Sequence, residues 1–292
     1  MSYRNPEQLT SLLDSPSTTE QLAADFQNAL HQGMHGICFS PYGPEQKPGE
    51  PIRPTQIRER LEIVRPHTQW IRSFSCTEGN ELIPQIAKEM GFQTLVGAWL
   101  GKEPAINRTE IENLIQIANE GHADIVAVGN EVLYRKDFEE IELLDYIRQV
   151  KSALTDTPVG YVDAYYHFEK HPALTEACDV ILANCYPFWE GCDIDYSLLY
   201  MKEMYRRAQK AANGKKVLIT ESGWPSAGTP FGSAVPSVEH AMRYFINAQE
   251  WARQEEIELF YFSSFDEAWK IDAEGDVGAY WGIWDTHGNQ KF

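Results

Sequence analysis

Residues 109–131 read Thr109-Glu-Ile-Glu-Asn-Leu-Ile-Gln-Ile-Ala-Asn-Glu-Gly-His-Ala-Asp-Ile-Val-Ala-Val-Gly-Asn-Glu131. In the first half, Ile111, Leu114, Ile115 and Ala118 recur at the spacing of one helical face. Thr109-x-x-Glu112 is a capping-box pattern and predicts the helix start. Gly121 stands where a glycine ends a helix. The second half, Ile125–Glu131, is short and nearly continuously apolar, as suits a strand buried on both faces. Helix, glycine, buried strand is the repeating unit of a parallel sheet covered by helices.

The same alternation extends in both directions. Upstream runs of strand character are Gly36–Gly43, Trp70–Cys76 and Thr94–Leu100. Downstream runs are Val159–Tyr165, Asp179–Phe188, Lys216–Trp224 and Glu258–Lys270. Amphipathic stretches at Ile141–Leu154 and Val238–Arg253 lie between them, Ser17-x-x-Glu20 offers a second capping box, and Gly91 a second helix end. The strand starts average about 32 residues apart, near the repeat of ~250 residues folded as eight βα units. The expected fold is therefore α/β, a single (β/α)8 TIM barrel. A doubly wound sheet would want a glycine-rich turn after its first strand; Ser40-Pro41-Tyr42-Gly43 stands there instead. No linker or compositional break divides the chain. Residues 1–35 are expected to form an N-terminal extension with a helix over roughly 18–32, part of the same domain, and residues 36–292 the barrel.

Composition narrows function. A hydrophobic fraction of 43% and a charged fraction of 23% exclude low-complexity and collagen-like chains. With 25 basic and 43 acidic residues the net charge is −18, which repels phosphate backbones and anionic lipid. Neither nucleic acid nor membrane is an expected partner, and no apolar run reaches the ~18 residues of a membrane span. The opening Met-Ser-Tyr-Arg-Asn-Pro-Glu-Gln lacks the apolar core of a secretory signal, so a cytoplasmic location is the expectation. Cys38, Cys76, Cys178, Cys185 and Cys192 match neither a disulfide framework nor a zinc spacing and are read as reduced, partly buried thiols.

In such a barrel chemistry sits at the C-terminal ends of the strands. There the sequence places Tyr42, Arg72, Trp99, Asn130, Glu131, Asp163, Tyr186, Glu221, Trp224, Asp266, Glu267 and Trp269. Glu131 ends the fourth strand in Val-Gly-Asn-Glu, and Glu221 ends the seventh in Ile-Thr-Glu-Ser-Gly-Trp-Pro. Two carboxylates across a sugar-sized cleft are the equipment of glycoside hydrolysis, one protonated to serve the leaving oxygen and one ionised to meet the anomeric carbon. The aromatic fraction of 12% suits a carbohydrate groove. Tyr186, Phe188, Trp189, Trp224, Trp269, Tyr280, Trp281 and Trp284 follow strands six to eight, and about half are expected to line it. No H-E-x-x-H, P-loop or G-x-S-x-G occurs. Asp272-Ala-Glu-Gly-Asp276 reads as a solvated loop. His35, His67, His122 and His240 read as surface or packing residues near helices and loops. Lys270 reads as an ion-pair partner of Asp266 and Glu267 rather than a Schiff-base lysine.

Taken together, Val-Gly-Asn130-Glu131, Thr-Glu221-Ser-Gly-Trp224-Pro, Phe265-Asp-Glu267-Ala-Trp269-Lys270 and Tyr280-Trp-Gly-Ile-Trp284-Asp resemble glycoside hydrolase family 17, the β-1,3-glucanase and glucanosyltransferase family, in its compact bacterial form. Gly-Ile-Cys-Phe-Ser40-Pro41-Tyr42 and Trp-Ile-Arg72-Ser-Phe look like that family's first two strand ends. The resemblance implies a retaining β-glucan hydrolase with Glu131 as general acid/base and Glu221 as nucleophile. It implies that Asn130 bonds the sugar 2-hydroxyl and that Tyr186 bonds the nucleophile and keeps it ionised. Glu267 and Lys270 would orient the sugar or the acid/base, and Tyr42, Arg72, Trp224 and Trp269 complete the implied substrate-binding set. Neither metal nor cofactor is implied. The partner is β-glucan or a gluco-oligosaccharide, most simply β-1,3-linked. A glucanosyltransferase with the same residues, a β-1,6 or β-1,2 glucan hydrolase, and a non-catalytic carbohydrate-binding barrel are the alternatives. A sugar-phosphate barrel enzyme is disfavoured, because two carboxylates would stand where phosphate must bind.

Overall fold

The computed structural model describes residues 18–292. The chain's first eight residues and Ser17, read above for a signal and a cap, lie outside the described residues. Eight parallel strands close into a barrel in chain order. They are β1 Met34–Cys38, β2 Thr68–Ser73, β3 Gln93–Ala98, β4 Ile125–Asn130, β5 Val159–Ala164, β6 Val180–Asn184, β7 Val217–Ser222 and β8 Leu259–Tyr261. β8 pairs back onto β1 through Gly36 and Phe260. A side chain at Gly36 would put its Cβ 2.4 Å from the Phe260 ring, so closure needs glycine there.

The helices are α1 Thr19–His31, α2 Pro54–Val64, α3 Leu82–Glu89, α4 Pro104–Asn119, α5 Val132–Arg135, α6 Glu140–Ala153, α7 Tyr165–Lys170, α8 Pro172–Ala177, α9 Ile194–Ala211, α10 Val238–Gln254 and α11 Ile271–Glu274. Every residue of β4, β6 and β7 is buried, the pattern the continuous apolar runs foretold. Thr18 accepts from the Gln21 amide at 3.2 Å to start α1. The buried face of α1 reaches α10, with the Phe26 and Phe245 ring centroids 4.8 Å apart. The five cysteines are free thiols, and all but Cys192 are buried.

Several sequence readings are corrected. Helix α4 begins at Pro104, not at a capping box on Thr109. Proline fits the first helical turn, where its missing N–H has no partner to lose, and Thr109 instead donates to the Ala105 carbonyl within the helix. β8 covers Leu259–Tyr261 rather than Glu258–Lys270. Beyond Tyr261 the backbone pairs with the segment at Trp281–Trp284, the Ser263 amide bonding the Trp281 carbonyl at 3.0 Å and the Asp266 amide the Trp284 carbonyl at 2.9 Å. Asp266, Glu267 and Trp269 therefore sit on a connection, not at a strand end. Asp272–Asp276 is solvated as read except at Glu274, but it is not a loop throughout, because Asp272–Glu274 belongs to α11, which brings Glu274 to the cavity wall. His35 lies on β1, stacked on Trp70 at 5.5 Å, rather than near a helix or loop.

Candidate active site

At the strands' C-terminal ends lies a cavity of about 540 Å³, walled by Glu131, Asn184, Tyr186, Glu221, Phe262 and Glu274 and by the aromatics Tyr134, Tyr165, Tyr166 and Trp189. That volume suits a small-molecule site. Irregular strand register delivers both glutamates. Against β5, strand β4 gains one residue between Ala127 and Asn130, and β7 gains one against both β6 and β8 around Thr220. Such bulges re-aim side chains that would otherwise alternate between faces. Consecutive residues thus enter one network: Asn130 accepts from Arg72 at 2.7 Å, and Glu131 accepts from Asn184 at 2.8 Å. On β7, Thr220 donates to the Asn184 side-chain oxygen at 2.8 Å, and Glu221 beside it takes two donors of its own.

Those donors are Arg72, whose Nη1 lies 2.7 Å from Oε1, and Tyr186, whose hydroxyl lies 2.7 Å from Oε2. Arg72 is only 2% exposed, so this is a buried, charge-assisted pair. Its desolvation is offset by further bonds, one from Nη1 to the Thr220 carbonyl at 3.4 Å and one from Nη2 to Asn130. Glu131 has a different environment. Burial, and then the charge of Glu221, push its carboxyl up to about 8, while the Asn184 amide pulls the other way. One glutamate holds its proton near neutrality, and the other accepts from a guanidinium and a phenol.

Glu131 has left-handed backbone geometry, φ 53° and ψ 29°, which costs a non-glycine residue about 1 kcal/mol or more. Gly129, at φ 89°, makes the turn possible, since a Cβ there would lie 2.9 Å from Val132. The turn is then locked from both sides. The Glu131 amide donates to the Val162 carbonyl at 2.7 Å. Arg135 donates to the Asn130 carbonyl and, at 2.6 Å, to that of Leu100. The Leu133 amide donates to the Tyr161 hydroxyl at 3.0 Å, and that hydroxyl donates onward to the fully buried Asp163. We expect Tyr161→Phe, which strips the Leu133 N–H and Asp163 of their shared partner, to lower kcat about 10- to 100-fold with KM nearly unchanged. Steady-state kinetics checks this, and wild-type kcat would remove the hydroxyl from the site's support.

Of the residues singled out in the sequence, Glu131, Tyr186 and Glu221 wall the cavity, with Arg72 and Asn130 directly behind them. Glu267 and Lys270 form a buried ion pair at 2.5 Å, with Lys270 4.2 Å from the Phe262 ring centre. Lys270 thus pairs with Glu267, as read, but Asp266 pairs with Lys291 at 2.8 Å instead. Trp269 bonds Glu267 through its indole at 3.2 Å and packs edge-on to Tyr42, whose hydroxyl accepts from Asn80. Neither Tyr42 nor Trp269 lines the cavity. Trp224 does not reach it either: it is 1% exposed, its indole donates to the Val235 carbonyl, and its ring abuts Phe188 and Tyr244. Among the groove aromatics, Tyr186 and Trp189 wall the cavity, while Phe188, Trp281 and Trp284 are core. The sequence reading missed Asn184, Tyr165, Tyr166 and Glu274. A polar residue closing an apolar strand marks Asn184, and tyrosines directly after Asp163-Ala164 mark the fifth strand's end; Glu274 carried no such signal.

Among the described residues, no three His, Cys, Asp or Glu side chains group as metal ligands. Residues 36–282 match the family model of the BtgE/BtgC glycoside hydrolase domain. A glucan 1,3-β-glucosidase of Candida albicans is 26% identical over 258 residues, covering 80% of this chain and 83% of that protein. A glucan 1,3-β-glucosidase of Schizosaccharomyces pombe is 27% identical over 254 residues, covering 80% and 78%. The crystal structure of a glycoside hydrolase family 17 β-1,3-glucanosyltransferase from Rhizomucor miehei superposes with a TM-score of 0.80 at 30% identity, covering 89% of this chain and 96% of that one. An active-site mutant of that enzyme, in complex with laminaritriose, matches equally.

Proposed function

The chain belongs to the BtgE/BtgC glycoside hydrolase family, within family 17, and from that premise we propose that it cleaves β-1,3-linked glucan with Glu131 as general acid/base and Glu221 as nucleophile. That it is a β-1,3-glucan glycoside hydrolase or transglycosylase follows from its relatives. The assignment of the two glutamates rests on one observation. They wall the same cavity in opposite electrostatic settings, the Glu131 carboxyl pushed up by burial and Glu221 held by Arg72 and Tyr186.

In the first step Glu131 gives its proton to the glycosidic oxygen as a Glu221 oxygen bonds the anomeric carbon. The bond from that carbon to the leaving sugar breaks, and a glucosyl ester forms. Tyr186 releases negative charge from its hydrogen bond as the ester grows, and Arg72 keeps the carboxyl aligned. Glu131, now ionised, takes a proton from water or from a sugar hydroxyl, whose oxygen attacks the anomeric carbon and breaks its bond to the Glu221 oxygen, freeing the carboxylate. Two inversions give net retention.

Water and sugar compete at the second step. The aromatic wall of Tyr134, Tyr166 and Trp189 supports the transferase reading, since ring faces bind the apolar side of an acceptor sugar. A time course on laminaritriose distinguishes the two, with products sized by mass spectrometry and the first anomer followed by proton NMR. The expected result is β-anomeric product, with longer oligosaccharides appearing wherever transfer outruns hydrolysis. A first-formed α-anomer would overturn the assignment.

A further inference from the structure

Trp99 follows directly on β3, at the barrel end that carries the cavity, and it is the one exposed tryptophan of the eight, at 41%. A single exposed apolar side chain is ordinary on a protein surface. The support beneath this one is not. The Arg135 guanidinium lies over its ring, 4.3 Å from the centre. Arg135 does not need the ring for its own place, since it already bonds the Asn130 and Leu100 carbonyls and, at 2.8 Å, Asp137. The Trp99 amide donates to Glu110 at 3.0 Å. Glu110 is buried, and it also accepts from the Ser75 hydroxyl at 2.5 Å, the Cys76 amide at 2.7 Å and the Thr77 hydroxyl at 2.6 Å. One carboxylate thus ties the end of β3 to the segment after β2. Two residues beyond Trp99, the Gly101 amide and carbonyl both bond the Asn107 side chain, at 2.8 and 2.7 Å. The backbone is pinned at Trp99 and just beyond it, and a cation covers one ring face while much of the ring stays open to solvent.

A ring held this firmly loses little freedom when a ligand settles on it, and ring faces bind the apolar side of a sugar. Its place suits the same substrate. The cavity walls come from the ends of β4 to β8 and the segments after them, whereas Trp99 follows β3, the neighbour of β4. Arg135 bridges from the ring to the Asn130 carbonyl, next to Glu131. A glucan chain has more units than a cavity of about 540 Å³ encloses, and those left over must lie on the rim. We propose that Trp99 is a stacking platform for a glucosyl unit outside the cavity, so that a chain engaged at Glu131 and Glu221 continues over the end of β3. This rests on the β-glucan reading of the cavity and adds to it a preference for long chains over short ones.

The test is calorimetric titration with laminaritriose and laminarihexaose in a Glu131→Gln background, which slows turnover. The background should bind the hexasaccharide several-fold more tightly. Adding Trp99→Ala should weaken laminarihexaose binding roughly 10-fold and laminaritriose binding far less, which removes the preference. Trp99→Leu, which keeps apolar bulk over Arg135 without a ring, should do the same, and it carries the test if the alanine variant does not fold. Trp99→Phe should recover most of the hexasaccharide affinity, a distinction between ring and bulk that mere packing would not make. Equal losses for the two ligands would mean that the ring only supports the Glu131 turn. No loss for either, or equal affinity for both in the background, would mean that no sugar rests on it. Each of these results would overturn the proposal and leave the β-glucan reading intact. A background that binds neither ligand would overturn that reading and the proposal with it.

Discussion

Glu221→Ala should lose turnover of an activated aryl β-oligoglucoside by on the order of 10⁴-fold or more, since without the nucleophile no ester forms. Azide should restore much of the loss. A small anion can occupy the space the carboxylate leaves and attack the anomeric carbon from the same face. The rescued product is then the α-glucosyl azide, inverted relative to the substrate. Arg72 and Tyr186 remain in place to receive the anion, as both donors are anchored independently, Arg72 on Asn130 and the Thr220 carbonyl and Tyr186 edge-on to Phe262 and Trp281. Unchanged turnover in this variant, or a β-azide product, would remove Glu221 from the nucleophile's role.

The second large effect concerns Glu131. Glu131→Ala should slow cleavage of β-1,3-gluco-oligosaccharides about 10²- to 10⁴-fold, the usual worth of positioned proton transfer. A dinitrophenyl glycoside, whose leaving group needs no proton, should be spared in the first step. The pH profile gives the same assignment independently. The first step needs the protonated acid, and burial followed by the charge of Glu221 pushes this carboxyl up to about 8. The active form therefore persists below that pH, and kcat/KM should fall as pH rises through about 8. That limb should vanish in Glu131→Ala. A limb unaffected by Glu131→Ala would assign the titration to another group.

Much of this site was legible in the sequence because strand ends are. Apolar runs of five or six residues fix where strands lie, the barrel fixes which end carries chemistry, and a polar residue closing such a run is exposed to that logic. Glu131, Glu221, Arg72 and Asn130 were found this way. The logic fails where the backbone leaves the strand. The run from Glu258 to Lys270 looks like one strand because Phe, Tyr and Trp are as suited to a packed connection as to a ladder. Only its pairing with Trp281 and Trp284 reveals the turn. Trp224 was misplaced for a related reason: a tryptophan beside a catalytic carboxylate is equally good as a groove wall or as a wedge between helices, and contact with Phe188 and Tyr244 decided for the wedge. Glu274 was unreadable because an acidic, glycine-containing stretch signals solvent, and its direction depends on the fold of a single helical turn.

The extra residue in β7 sets a boundary within one strand. Thr220 and Glu221 both turn inward, while Ser222 faces the helices and bonds the Cys185 carbonyl at 2.6 Å and Tyr244 at 2.5 Å. The inside–outside phase of the strand therefore changes at Thr220, and the lower half answers only to the packing of the barrel wall. Drift in that lower half can be absorbed by repacking without rotating Glu221. A one-residue deletion at the bulge would instead keep a regular, well-paired strand with a single inward side chain opposite Asn184, so that Thr220 and Glu221 could no longer both join the cavity's network. The added residue is what lets one strand end hold Asn184 and present a carboxylate at once.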